Sequence, residues 1–142
     1  MFKIVEKKLL AENIYRLRVE APRVAHSALP GQFVIVRTDE HGERVPLTIA
    51  DYDTSAGTVT IVIQAIGMST RKMCALNEGD ALADLAGPLG NPSEFVNVPM
   101  DELRRRRYLF VAGGVGTAPV YPQVKWLHEH GVAVDVIIGA KT

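Results

Sequence analysis

The sequence predicts an all-β antiparallel Greek-key barrel over residues 1–98, a linker at 99–107, and the opening of an α/β unit at 108–142. Three observations carry this. Short β-branched or alternating runs recur between turn signals up to about residue 98. The stretch from Asp101 to Arg107 is charged, with Leu103 its one apolar residue, and it separates two regions of different pattern. Beyond it a single apolar strand enters a glycine-rich turn that opens a helix, and a second apolar strand follows.

In the first region Ile14, Leu17 and Val19 mark one strand, Phe33 to Val36 another, and Val59, Ile61 and Ile63 a third. Leu29-Pro30-Gly31, Asp39 to Gly42, Asp53 to Gly57 and Asn77 to Asp80 carry turn chemistry between them. Strands at this spacing, with one short helix, suit a closed or nearly closed barrel. The second region reads as a strand at 108–112, a helix at about 118–130 and a strand from Val132 to Ile138. On that helix Val120, Val124 and Leu127 fall at i, i+4 and i+7 and predict one buried stripe. Pro119 and Pro122 suit its opening turn, and Gly131 is a natural stop. A strand–helix–strand unit calls for more parallel strands beside it, so the segment reads as truncated and Rossmann-like, and the chain as a portion of a longer protein.

Composition narrows the function. Sixteen basic and sixteen acidic side chains cancel, so no bulk field recruits nucleic acid or a membrane surface. The single cysteine, Cys74, cannot form an internal disulfide or by itself hold zinc or an iron–sulfur cluster. The opening Met1-Phe2-Lys3-Ile4 lacks a signal-peptide core, and no apolar run approaches the ~18 residues of a membrane span. The expectation is a cytoplasmic protein without a metal site. Arg104 to Arg107 read as a solvated face, His128 and His130 lie two apart on a helix and point apart, and Cys74 reads as a core thiol.

Three constellations carry chemistry. In the first, the strand from Tyr108 leads into Gly113-Gly114-Val115-Gly116-Thr117-Ala118-Pro119. Helix N-termini expose unpaired N–H groups and attract phosphate, and glycines let a backbone approach a pyrophosphate. The alternative is a tight strand–helix connection. Lys141 stands where an acidic residue would bind a ribose hydroxyl, a position that tolerates a 2′-phosphate. In the second, Gly67-Met68-Ser69-Thr70 precedes a short helix with Ser69 as its expected N-cap. The N–H groups of residues 69–71, with Arg71 and Lys72 as counter-charge, make it either a second anion site or an ordinary capped helix. The third is Arg44-Val45-Pro46-Leu47-Thr48. A proline in an extended apolar segment marks an edge or bulged strand, which either frees Thr48 to meet a ligand or is a plain edge strand.

Taken in order, Arg-x-Pro-Leu-Thr-Ile, Gly-x-Ser-Thr, Gly87-Pro88-Leu89-Gly90-Asn91-Pro92 and Gly-Gly-x-Gly-x-Ala-Pro resemble the ferredoxin–NADP reductase superfamily. The likeness runs through the whole chain and is strongest to electron-transfer subunits of dihydroorotate dehydrogenase and of NADPH-dependent ferredoxin or sulfide oxidoreductases. It implies a flavin-binding barrel followed by a pyridine-nucleotide domain. FAD would lie against Pro46, Leu47 and Thr48, with the threonine hydroxyl near the reactive flavin edge as the catalytic contact. The strand Val62, Ile63 and Gln64, and the turn with Gly67, Ser69 and Thr70, would hold the rest of it. The loop Gly113, Gly114, Gly116, Thr117, Ala118 and Pro119 would receive NAD(P)H in the full-length protein.

The resemblance further implies electron transfer to a larger catalytic redox subunit or ferredoxin, with a [2Fe–2S] centre only in a missing C-terminal part. Many members carry arginine immediately before the proline, where this chain has Val45. Arg44, displaced by one, stays a candidate contact, but a one-residue shift turns a strand side chain to the opposite face. The alternatives are a non-catalytic barrel module with a decayed flavin site and a reductase with an iron-free partner.

Overall fold

Alternation builds the first layer. Leu17 and Val19 are fully buried, while Arg16 and Arg18 beside them reach the surface, the period-two pattern of a half-buried strand. The computed structural model describes residues 1–141. Its strands are β1 (Phe2–Ala11), β2 (Ile14–Glu20), β3 (Phe33–Arg37), β4 (Arg44–Asp53), β5 (Thr58–Gln64), β6 (Ala81–Leu82), β7 (Asp84–Leu89), β8 (Arg107–Gly113) and β9 (Ala133–Gly139). The helices are α1 (Pro22–Ser27), α2 (Met68–Cys74), α3 (Met100–Leu103) and α4 (Thr117–Glu129), with 3-10 turns at Glu94–Asn97 and Gly114–Gly116.

The first seven strands form one antiparallel sheet in the order β6-β1-β2-β5-β4-β3-β7. Its two edge strands are consecutive in the chain. β6 pairs with β1 and β7 with β3, and the N–H of Ala83 between them reaches the carbonyl of Arg37 at 3.0 Å. Residues 81–89 therefore draw the edges together and nearly close the barrel. The neighbour of β2 is β5 rather than β3, because the chain leaves β2 through α1, whose Val24 and Ala25 enter the core. This is the Greek-key step. Ile4, Leu17, Val34, Ile49, Ile61, Met73 and Leu82 fill the interior, each fully buried side chain contributing about 1.5–3 kcal/mol.

A second core begins before residue 98. Phe95, in the 3-10 turn, joins Leu103, Leu127 and Val132, with Tyr108, Phe110 and Trp126 packed around them. The stretch expected as a linker carries α3, buries Leu103 completely and opens β8. β8 and β9 pair in parallel from Arg107↔Ala133 to Gly113↔Gly139, as the strand–helix–strand reading requires. The buried stripe of α4 differs from expectation. Pro122 and Leu127 are buried, whereas Val120 and Val124 are half-buried. The helix packs on β4 as well as on β8 and β9, so its buried surface is a broad arc. Pro122 lies inside α4, not in its opening turn. The other face of the small sheet leaves Leu109, Val111 and Ile137 exposed. β1 and α1 had no strong sequence signal, since Ile4 alone is buried among the β1 side chains.

Candidate functional site

The barrel sheet splits where the sequence placed its third constellation. Residues 44–48 of β4 pair with β3 alone and residues 49–53 with β5 alone, with a bulge between Ile49 and Asp51. Pro46, which has no N–H to donate, lies in a stretch with one open side. β4 is thus an interior strand that is locally an edge. β5 does the converse, pairing with β2 throughout but with β4 only over residues 58–61. Continuing the register past Ile49↔Ile61 would set Thr48 opposite Val62, Leu47 opposite Ile63 and Pro46 opposite Gln64. None of those pairs forms. The six residues are the two arms of the split, and their facing backbone groups have no ladder partners.

Side chains on the β4 arm alternate. Arg44, Pro46 and Thr48 are exposed, while Val45 and Leu47 pack half-buried on the core. Arg44 ion-pairs with Asp84 at 2.8 Å, a hydrogen bond that holds the Asp84 carboxyl below its ordinary range. On the β5 arm Ile63 is buried in the core, so it can offer a ligand only backbone.

The turn into α2 departs from expectation at two points. Gly67, not Ser69, is the N-cap. The hydroxyl of Thr70 accepts the N–H groups of Gly67 at 2.9 Å and Ile66 at 3.1 Å, reaching back over the turn as Ser69 was expected to do. The N–H of Arg71 is also spent, on the carbonyl of Gly67 at 2.9 Å. The helix's own unpaired donors are therefore those of residues 68–70, one position earlier than expected. Lys72 pairs with Asp39 at 3.1 Å, and it and Arg71 stand in the last turn of α2, so neither is counter-charge at its start. A cleft of about 260 Å³ lies beside this turn, lined by Glu43, Arg44, Val45, Pro46 and residues 66–70. Within it Ser69 donates its hydroxyl to the Glu43 carboxylate at 2.6 Å.

At the glycine turn, Gly114 adopts φ +54, a conformation that favours glycine. Gly116 has φ −62 and ψ −11, which any residue adopts, and a Cβ there would meet nothing within 4 Å. Neither the backbone nor packing demands glycine at 116, so its bareness leaves room for an approaching molecule. A larger cleft, about 1780 Å³, runs between this turn and the outer face of the barrel. Val62 and Gln64 line it together with Gly113, Gly114, Gly116, Thr117, Ala118 and Lys141.

The β5 arm and the glycine turn thus share one cavity. Arg44, Pro46, Gly67, Ser69 and Thr70 share the smaller one. Leu47, Thr48, Ile63 and Pro119 line neither. Two charged groups on the cleft wall were not foreseen. Glu6 bonds both Arg16 and Arg18, and Asp51 pairs with Lys125. Alternation on β2 signals outward arginines, but nothing local ties Asp51 to a residue 74 positions away.

No family profile matches the chain. It is 62% identical over 141 residues to an uncharacterized protein in the adh 3′ region of Clostridium beijerinckii, covering 99% of this chain and 48% of that one. It is 40% identical over 139 residues to a homolog of the electron transfer subunit of dihydroorotate dehydrogenase B (NAD(+)) from Thermotoga maritima, covering 98% and 47% respectively. Its fold matches the structure of an NADH-dependent reduced ferredoxin-NADP oxidoreductase, solved for insight into flavin-based electron bifurcation. That match has a TM-score of 0.89 at 38% identity and covers 100% of this chain and 49% of that one. The chain spans about half the length of the relatives it matches. A nearly closed barrel joined to a parallel strand–helix–strand unit, with these likenesses, places the chain in the ferredoxin–NADP reductase superfamily. Relatives within that superfamily that it matches include proteins named as electron transfer subunits of dihydroorotate dehydrogenase B.

Proposed function

We propose that this chain is the FAD-binding part of a flavin-dependent NAD(P)H oxidoreductase subunit, which moves electrons between NAD(P)H and a ferredoxin or iron–sulfur acceptor. The observation that supports it most is the split between β4 and β5, which bares two runs of backbone donors and acceptors. A planar heterocycle with a hydrogen-bonding edge suits such a gap. The smaller cleft, with the amides of residues 68–70 beside it, suits a diphosphate, and the bare Gly116 suits a second one. FAD, when bound, supplies both two-electron and one-electron chemistry.

The chain's own residues bind and orient. Thr48 presents a hydroxyl from the exposed face of β4, Pro46 keeps that stretch from pairing, and Leu47 anchors it in the core. For phosphate to enter the small cleft, the Glu43 carboxylate must leave Ser69, which frees that hydroxyl to donate to an anion. Thr117 and Ala118 offer the first turn of α4 to a pyridine nucleotide. The partner we propose is a larger catalytic redox subunit, ferredoxin, or both, since relatives are named as electron transfer subunits. One buried thiol cannot ligate a [2Fe–2S] cluster, so any such centre lies outside this stretch. The Glu43 carboxylate in the small cleft favours a second reading, a barrel kept for assembly with its flavin site decayed.

Flavin content of the purified protein, followed by anaerobic mixing with NADH or NADPH, separates the two. The first reading predicts one FAD per chain, from the host or added afterwards, and bleaching by a nucleotide once the subunit is whole. A colourless protein that takes up no added FAD overturns it in favour of the second.

A further inference from the structure

We propose that Asp51 and Lys125 form a positioning pair that holds the glycine turn against the barrel and keeps the large cleft assembled. The pair's geometry stands by itself, while its purpose, holding a nucleotide cleft in shape, rests on the reading above. The two residues belong to different cores: β4 is built into the barrel, and α4 packs on the second cluster. The Lys125 ammonium lies 2.9 Å from Oδ1 of Asp51, with both side chains about a third exposed (37% and 33%). The same carboxylate oxygen accepts the N–H of Tyr52 at 2.9 Å, so it is oriented independently of the lysine. Lys125 also lies 5.9 Å from the centre of the Tyr121 ring. Its hydrogen bond to Asp51 raises its proton affinity above the ordinary lysine range, with Glu129 adding to the effect.

Position argues for the role. Asp51 follows the bulge at which β4 changes partners, so it is coupled through one strand to Thr48. Lys125 stands about two turns along α4 from the glycine turn. Both residues line the large cleft, as does Trp126 beside them. Among the described residues, one other side-chain hydrogen bond ties α4 to the first 98 residues, that of the Ser93 hydroxyl to Gln123 at 3.0 Å. Loss of the Asp51–Lys125 pair therefore leaves α4 held by Gln123 and by its packing on β4, free to shift but not released. An ion pair this exposed contributes little to global stability, so its effect is on where α4 rests.

Trp126, the single tryptophan, reports that placement without any cofactor. In flavin-free protein, Lys125→Met and Asp51→Asn are expected to raise acrylamide quenching of Trp126 about twofold, as for a local opening. Lys125→Arg, which keeps the charge and a donor for Asp51, retains the wild-type value. If the cleft is then assembled in about a fifth of molecules, binding of NADPH or NADH weakens about fivefold, while FAD uptake is unchanged. Unchanged quenching in both single variants overturns the pair. Raised quenching with unaltered nucleotide affinity overturns its purpose. A wild-type protein that binds neither FAD nor nucleotide removes the flavoprotein reading, and the quenching comparison still decides whether the pair positions α4.

Discussion

Thr48 is an exposed polar side chain on an otherwise apolar stretch of β4, between residues that pack inward. In the proposed function its hydroxyl makes one contact where charge changes. Thr48→Val keeps the β-branched shape the strand favours, so FAD binding is expected to persist. Flavin reduction by NAD(P)H in the complete subunit slows about tenfold, the equivalent of one neutral hydrogen bond, in stopped-flow traces. An unchanged rate removes the role. At this scale the sequence revealed residue types better than directions. Two adjacent hydroxyls, Ser69 and Thr70, were both legible as candidates, but which one reaches back over the turn depends on the path of the backbone. Arg44 was legible as a displaced arginine, but its partner Asp84 lies 40 residues on and leaves no local signal.

Among the elements, the glycine turn separates structural from functional glycines. Gly114→Ala places a Cβ at φ +54 and is expected to cost about 1 kcal/mol in urea denaturation. Gly116→Val has open space and an ordinary conformation, so stability changes by no more than about 1 kcal/mol while NADPH and NADH binding is lost. Equal nucleotide affinity in Gly116→Val would show that the bare turn serves packing alone. The proline in β4 correctly marked a strand with an open side, because the missing donor is a local property. The partner switch behind it was not legible, since register is set between strands distant in sequence. Likewise α4 was legible as a helix, but its broad buried arc follows from β4, which sequence periodicity on α4 does not contain.

In the whole molecule, two cores meet along β4 and α4, and the large cleft lies at their junction. The change of pattern near residue 100 was legible, but its use was not. The charged stretch hides a fully buried Leu103, and Phe95 crosses from the barrel side into the second core, stacking edge-on with Tyr108 at 5.7 Å. One apolar residue among charges gives no periodicity to read. Leu103→Ala is expected to destabilise the second core by about 2–5 kcal/mol, seen as earlier unfolding of Trp126 fluorescence in urea, with the barrel's far-ultraviolet signal lost later. Simultaneous loss of both signals would mean that the cores unfold as one. Among the described residues no helix is long and apolar enough to cross a membrane.

The gap between the diverging strands is tested most directly by amide hydrogen exchange with and without saturating FAD. Protection is predicted over residues 44–48, 62–64 and 68–70, with one FAD bound per chain. Absent uptake, or protection that spares both strand segments, would contradict the assignment.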